Sequence, residues 1–213
     1  MSLRVNEIFY SIQGESTYAG RPCVFVRLTG CNLRCRWCDT AYAFHEGEQR
    51  SVEQVLEQVR AYKCPLVEIT GGEPLLQEEV YPLIDRLLLE RCEILVETGG
   101  SLSVDRLDPR VVKILDLKAP GSKMDPHNNF DNLRYLDRKD QIKFVVANRQ
   151  DYEWAKQVMA EHAMTEKAQV LFSQVFGELH PGKLAEWLLA DRLDARLQIQ
   201  LHKYLWAPER RGV

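Results

Sequence analysis

Three cysteines fall within ten residues of this chain: Cys31, Cys35 and Cys38 in CNLRCRWCDT, residues 31 to 40, spaced C-x3-C-x2-C. Thiols at that density either bind metal or pack as small apolar side chains, and Asn32, Arg34, Arg36 and Asp39 make the stretch too polar for inert packing. A structural zinc site wants four closed ligands, commonly as two separated pairs, and no second CxxC or HxxxH occurs elsewhere. A 4Fe-4S cluster held by three thiolates instead keeps one iron free of protein ligands and open to a chelating small molecule. The count of three therefore points to an iron-sulfur centre that does chemistry. A zinc-stabilised binding module stands as the alternative from outside the enzymes.

Other residues of reactive type are ambiguous when taken alone. ITGGEP, residues 69 to 74, carries two glycines that permit close backbone approach and positive φ, but such a run is also an ordinary strand-to-helix turn. Arg27 interrupts the apolar pattern of VFVRLTG, where an unpaired charge is costly unless a partner or a cavity compensates it. Its fork suits a carboxylate. His202 in QLHKYLW stands alone, as structural histidines do, and Cys23, Cys64 and Cys92 are isolated thiols beside apolar segments.

The elements that must position these residues alternate between apolar, β-branched runs and segments of helical period. Strands are expected at 23–30, 66–71, 93–99, 112–118, 141–148, 169–175 and 196–202, most of them continuous apolar runs of the buried parallel kind. SVEQVLEQVRAY starts with Ser51 and Gln54 in capping-box spacing and places Val52, Val55, Leu56 and Val59 on one face. Weaker helical patterns cover 78–91, 151–163 and 181–192, the last with Leu184, Trp187 and Leu188 on one stripe. A closed eight-fold barrel takes about 250 residues, so a chain of 213 with six or seven strands fits an open, partial TIM-like barrel, mainly parallel with few helices. In such α/β folds the site forms at the carboxyl ends of the strands. The cysteine loop, GGEP, TGGS, APGSK and SQVFGE all fall there.

Composition bounds the partners. The net charge is −3 and no basic block occurs, so a small-molecule substrate is favoured over nucleic acid. The amino-terminal residues lack a basic start and apolar run, and no stretch approaches the roughly 20 apolar residues of a membrane span, which predicts a cytoplasmic protein without a membrane partner. In that reducing compartment six cysteines are not expected to form a disulfide framework. One domain over residues 1–213 is expected, with short terminal extensions on the substrate side.

CNLRCRWC resembles the CxxxCxxC signature of the radical S-adenosylmethionine enzymes, with an aromatic residue before the third cysteine, and ITGGEP resembles their GGE motif. FYSIQGES (9–16), FVRLTGCNLRCRWCDT (25–40) and QLHKYLW (200–206) narrow the likeness to the members that contract 6-carboxy-5,6,7,8-tetrahydropterin to 7-carboxy-7-deazaguanine with loss of ammonia, on the path to queuosine and other 7-deazapurines. The resemblance implies a radical-type open barrel, a 4Fe-4S cluster, S-adenosylmethionine, Mg2+, an electron donor such as flavodoxin, and a homodimer. It also implies reductive cleavage of S-adenosylmethionine to a 5'-deoxyadenosyl radical that removes the hydrogen at C6 of the pterin. A small glycyl-radical activase shares the cysteine motif and is the competing enzyme.

By the same resemblance Cys31, Cys35 and Cys38 hold the cluster's iron, and Trp37, Asp39, Gly71, Gly72, Glu73, Asp116, Lys118, Ser173 and Gln174 contact S-adenosylmethionine. Ile12, Gln13, Gly14, Glu15, Arg27, Thr70 and His202 contact the substrate, and Thr40 supplies a hydroxyl to Mg2+. Two departures stand out. Gln174 occupies a position where many relatives carry proline, and residues 209–213 continue past the point at which some relatives place a terminal carboxylate on the substrate.

Overall fold

The computed structural model describes residues 2–213. In chain order it contains β1 (Ser2–Ile12), β2 (Pro22–Leu28), β3 (Glu48–Ser51), α1 (Val52–Ala61), β4 (Leu66–Gly71), α2 (Val80–Leu89), β5 (Glu93–Thr98), β6 (Val112–Lys118), β7 (Gln141–Val146), α3 (Arg149–Glu161), α4 (Met164–Lys167), β8 (Gln169–Gln174), α5 (Pro181–Asp191), β9 (Arg196–Gln198) and α6 (His202–Leu205). The strands form one nine-stranded sheet in the order β3-β1-β2-β4-β5-β6-β7-β8-β9. β2 and β4 through β9 run parallel to their neighbours, while β1 pairs antiparallel with both β2 and β3. This is the expected open α/β arrangement.

Alternation along each strand separates two environments. Val24, Val26 and Leu28 of β2, Val67 and Ile69 of β4, and Ile142, Phe144 and Val146 of β7 join one core cluster with the buried faces of α1, α2, α3 and α5. Each such side chain contributes roughly 1.5–3 kcal/mol when fully buried. The opposite face is apolar at the amino ends of the strands, where Phe9, Cys23, Phe25, Leu66, Leu95, Val112 and Ile114 form a second cluster. Two residues further along the same strands, that face turns polar: Arg27 after Phe25, Glu68 after Leu66, Glu97 after Leu95 and Asp116 after Ile114. The period of two thus builds a dry base and a charged rim.

α1 begins as expected: Gln54 N donates to Ser51 Oγ at 3.2 Å and Ser51 N to Gln54 Oε1 at 2.8 Å. Two strands were not legible. β1 carries a register shift between Val5 and Glu7 that breaks its alternation, and β3, EQRS, is a polar edge. The run expected over 196–202 stops at Gln198, and His202 instead begins α6. Its polar groups turn to the loop after β1. Ser16 N donates to Gln198 Oε1 at 2.8 Å and Leu201 N to Gly14 O at 2.9 Å. Among the described residues no helix is long and apolar enough to cross a membrane.

Candidate active site

The polar rim opens into a cavity of about 690 Å3 at the carboxyl ends of the strands. Cys31, Cys35 and Cys38 line it together with Trp37, Asp39, Thr40, Gly71, Gly72, Asp116 and Lys118, and so do Ile12, Gln13, Gly14, Glu15, Arg27, Thr70 and His202. The cavity lining therefore draws on six strands, β1, β2, β4, β5, β6 and β7, and on the loops that follow them.

The cysteine loop is fastened at several points. Leu33 is buried, Arg36 N donates to Ser122 O at 3.1 Å, and the Arg36 guanidinium forks onto Glu178 at 3.0 and 2.7 Å. ITGGEP packs directly beneath it. Gly72 N donates to Leu28 O at 3.2 Å and Glu73 N to Gly30 O at 2.7 Å. A Cβ at Gly72 would lie 2.2 Å from Gly30 O and 2.8 Å from Cys31 Cβ, so only glycine fits under the loop.

All three thiols are free of disulfides. Among the described residues no three His, Cys, Asp or Glu side chains are grouped so as to hold a single metal ion. Spread along one loop and facing one cavity, they suit a cluster, whose separate irons take separate thiolates without convergence on one point. Burial pushes the Cys31 and Cys35 thiols up, so metal loading must displace their protons. Asp116 Oδ1 is buried and has the Lys118 ammonium 3.1 Å away as its counter-charge.

The remaining wall is a buried charge network. Lys143 Nζ lies 2.8 Å from Glu15 Oε2 and 3.2 Å from Asp116 Oδ2, and it also contacts Glu97 Oε1. Gln13 Nε2 donates to Glu68 Oε2, and Glu15 N donates to Gln13 Oε1 at 3.0 Å. Burial pushes the Glu68 carboxyl well up, reinforced by the like charges of Glu97 and Glu15, so Glu68 holds a proton beyond the usual carboxylate range. Burial raises Glu15, but the Lys143 ammonium, the His202 ring and the hydrogen bonds from Lys143 and Gln200 together outweigh it and hold that carboxyl below its ordinary value. Glu97 is raised by burial against the pull of Lys143.

Arg27 anchors the opposite side. Its Nε donates to Glu7 Oε1 at 2.8 Å, and Tyr42 donates to the same oxygen at 3.0 Å. Among the described residues the two terminal guanidinium nitrogens make no hydrogen bond, so the fork's outer edge faces the cavity. His202 closes over Gly14, where a Cβ would fall 2.2 Å from His202 Nδ1. Asp39 stands on the exposed rim, paired with Lys203 Nζ at 2.7 Å. Thr40 precedes a short helical turn at Ala41–Phe44 without capping it, and its hydroxyl lies 3.8 Å from the Cys38 sulfur.

Three expected contacts are placed elsewhere. Glu73 is fully buried and off the cavity wall; its carboxylate accepts from Leu75 N at 3.1 Å and Gly99 N at 2.8 Å, which makes it a brace for the GGE turn. Ser173 and Gln174 also lie off the wall, with Ser173 Oγ and both carboxamide atoms of Gln174 buried and unpartnered. Conversely Glu68, Glu97 and Lys143 were missed. Each is a charge at an even-spaced position of an apolar strand, the signal that drew attention to Arg27.

A family model described as the Radical SAM superfamily matches residues 25–117. A 7-carboxy-7-deazaguanine synthase of Chlorobaculum tepidum is 49% identical over 99% of this chain and 97% of its own, and one of Koribacter versatilis is 42% identical over 99% and 100%. The chain belongs to the 7-carboxy-7-deazaguanine synthase family. The crystal structure of QueE from Escherichia coli superposes with a TM-score of 0.78 at 25% identity, covering 95% of each chain. Membership in this synthase family within the radical S-adenosylmethionine superfamily implies a 4Fe-4S cluster and S-adenosylmethionine, and it sets aside the activase and zinc-module readings.

Proposed function

We propose that this cavity binds 6-carboxy-5,6,7,8-tetrahydropterin beside S-adenosylmethionine and converts it to 7-carboxy-7-deazaguanine with release of ammonia, a step toward queuosine and other 7-deazapurines. The observation that carries this reading is that three free thiols and a carboxylate-rich, hydrogen-bonding wall line one and the same cavity. When bound, the cluster and S-adenosylmethionine would supply hydrogen-atom abstraction and return, chemistry that belongs to the cofactor.

The chain's own residues bind, orient and exclude water. Cys31, Cys35 and Cys38 hold the cluster, while Gly71 and Gly72 let the backbone approach the methionine end of S-adenosylmethionine. Trp37, Asp39, Asp116 and Lys118 flank that cofactor. Arg27 receives the pterin carboxylate, and Gln13, Glu15 and Thr70 face the donor-rich ring edge, with Gly14 and Ile12 shaping the floor beneath His202. Holding the reacting carbon at near-attack distance is the protein's main contribution.

Thr40 offers a hydroxyl to Mg2+, which keeps several waters and takes further oxygens from the substrate. Residues 1–213 act as one unit, in the cytoplasm, as a homodimer served by a donor such as flavodoxin. Anaerobic turnover of the pterin by iron-loaded protein, with and without Mg2+, tests substrate and metal together. Product formation that Mg2+ stimulates in the wild type but not in Thr40→Val supports the reading; no 7-carboxy-7-deazaguanine from loaded protein would sink it.

A further inference from the structure

Lys143 is 4% exposed and projects from the middle of β7 into the cavity, a position that the cysteine loop and GGE turn do not require. Its ammonium touches acids from three directions: Glu15 on the loop after β1, Glu97 near the end of β5 and Asp116 on β6. Glu68 on β4 and Lys118 on β6 complete the charged groups that face it. We propose that Lys143 is a positioning residue that holds the Glu15 and Glu97 side chains in place and oriented toward the pterin.

The distribution of counter-charges makes this specific. Asp116 has a second ammonium, Lys118 Nζ, at 3.1 Å, whereas Lys143 is the one cation within ion-pair distance of Glu97 among the described residues. Glu15 also accepts from Gln198 Nε2 at 3.0 Å and Gln200 Nε2 at 2.9 Å, but those neutral donors carry no charge to offset its own. Removing the Lys143 ammonium leaves two partly buried carboxylates facing Glu68, Glu97 with no cation in ion-pair distance and Glu15 with only the His202 ring, so at least one of them must take up a proton or turn away. The loss therefore falls on the pterin side and spares the cofactor side.

The inference rests on the proposed substrate, and the two fail separately. Wild-type turnover of the pterin tests the substrate, and Lys143 variants measured against wild type test the lysine. In anaerobically loaded protein, Lys143→Met is expected to retain its iron and to bind S-adenosylmethionine within about threefold of wild type, while its KM for the pterin rises at least about tenfold. Adding Glu97→Gln to Lys143→Met should recover part of that KM by removing the uncompensated charge. Should Lys143→Met not fold, Lys143→Arg decides, since it keeps the charge but changes its reach: a pterin KM raised about threefold or more is expected. An unchanged pterin KM in the folded variant, or equal losses for pterin and S-adenosylmethionine, overturns the proposal.

Discussion

Thr98 Oγ1 lies 2.8 and 2.9 Å from the two carboxylate oxygens of Glu73, fixing the glutamate of the GGE turn from behind rather than presenting it to the cavity. Oε1 also accepts from Leu75 N and Oε2 from Gly99 N, so both oxygens must be acceptors. Glu73→Gln would set an amide NH2 against a backbone N–H and should lower stability by about 1–3 kcal/mol despite removing a buried charge. Urea denaturation of the apoprotein checks this; an unchanged midpoint would show that the brace contributes nothing.

Arg27 bears on substrate affinity. Its Nε is already taken by Glu7, which leaves its two terminal nitrogens for the carboxylate proposed to bind there. A lysine ammonium cannot reproduce that bidentate edge, so Arg27→Lys should raise the KM for the pterin about 10- to 100-fold while kcat stays within about threefold. Steady-state kinetics on loaded protein decide it, and a fall in kcat at constant KM would contradict the assignment.

Cys35 is half-buried and its thiol makes no hydrogen bond among the described residues. Cys35→Ala should therefore leave the apoprotein's unfolding free energy within about 1 kcal/mol of wild type. Iron content and the visible chromophore should vanish. A brown, iron-replete Cys35→Ala protein would refute its role as a ligand.

Glu68 gives the protein a pH signature. A carboxyl whose folded-state value is raised contributes stability that is complete below the unfolded value and disappears as pH climbs through the folded one. Glu68→Gln keeps an acceptor for Gln13 and does not ionise. Its thermal midpoint should thus pull ahead of wild type as pH rises from about 5 to about 8. Parallel curves over that interval would mean that Glu68 does not titrate there.

Much of this was legible because it is local. The cysteine spacing, the Ser51 capping box and the seven apolar strand runs each need only a short window, and all seven runs are strands over at least part of their length. β1 was hidden because its bulge destroys the period of two, and β3 because a polar edge strand has no apolar face to read. The charged wall was hidden for a different reason. Glu68, Glu97 and Lys143 stand on three separate strands, and each alone reads as a stray polar residue until parallel register brings them side by side. Glu73 shows the limit of a motif in another way: the motif marks the turn whose backbone is expected beside the cofactor, while the Glu73 carboxylate braces that turn from behind.

The sheet never closes on itself, and the gap is stitched instead by the loop at residues 13–16 bonding to residues 198–202. An interrupted copy lacking the segment from 198 onward would still carry its cysteine tripod, yet the chamber proposed for the pterin would stand unroofed. Completion of the polypeptide is in this sense built into the catalyst as a licence to operate.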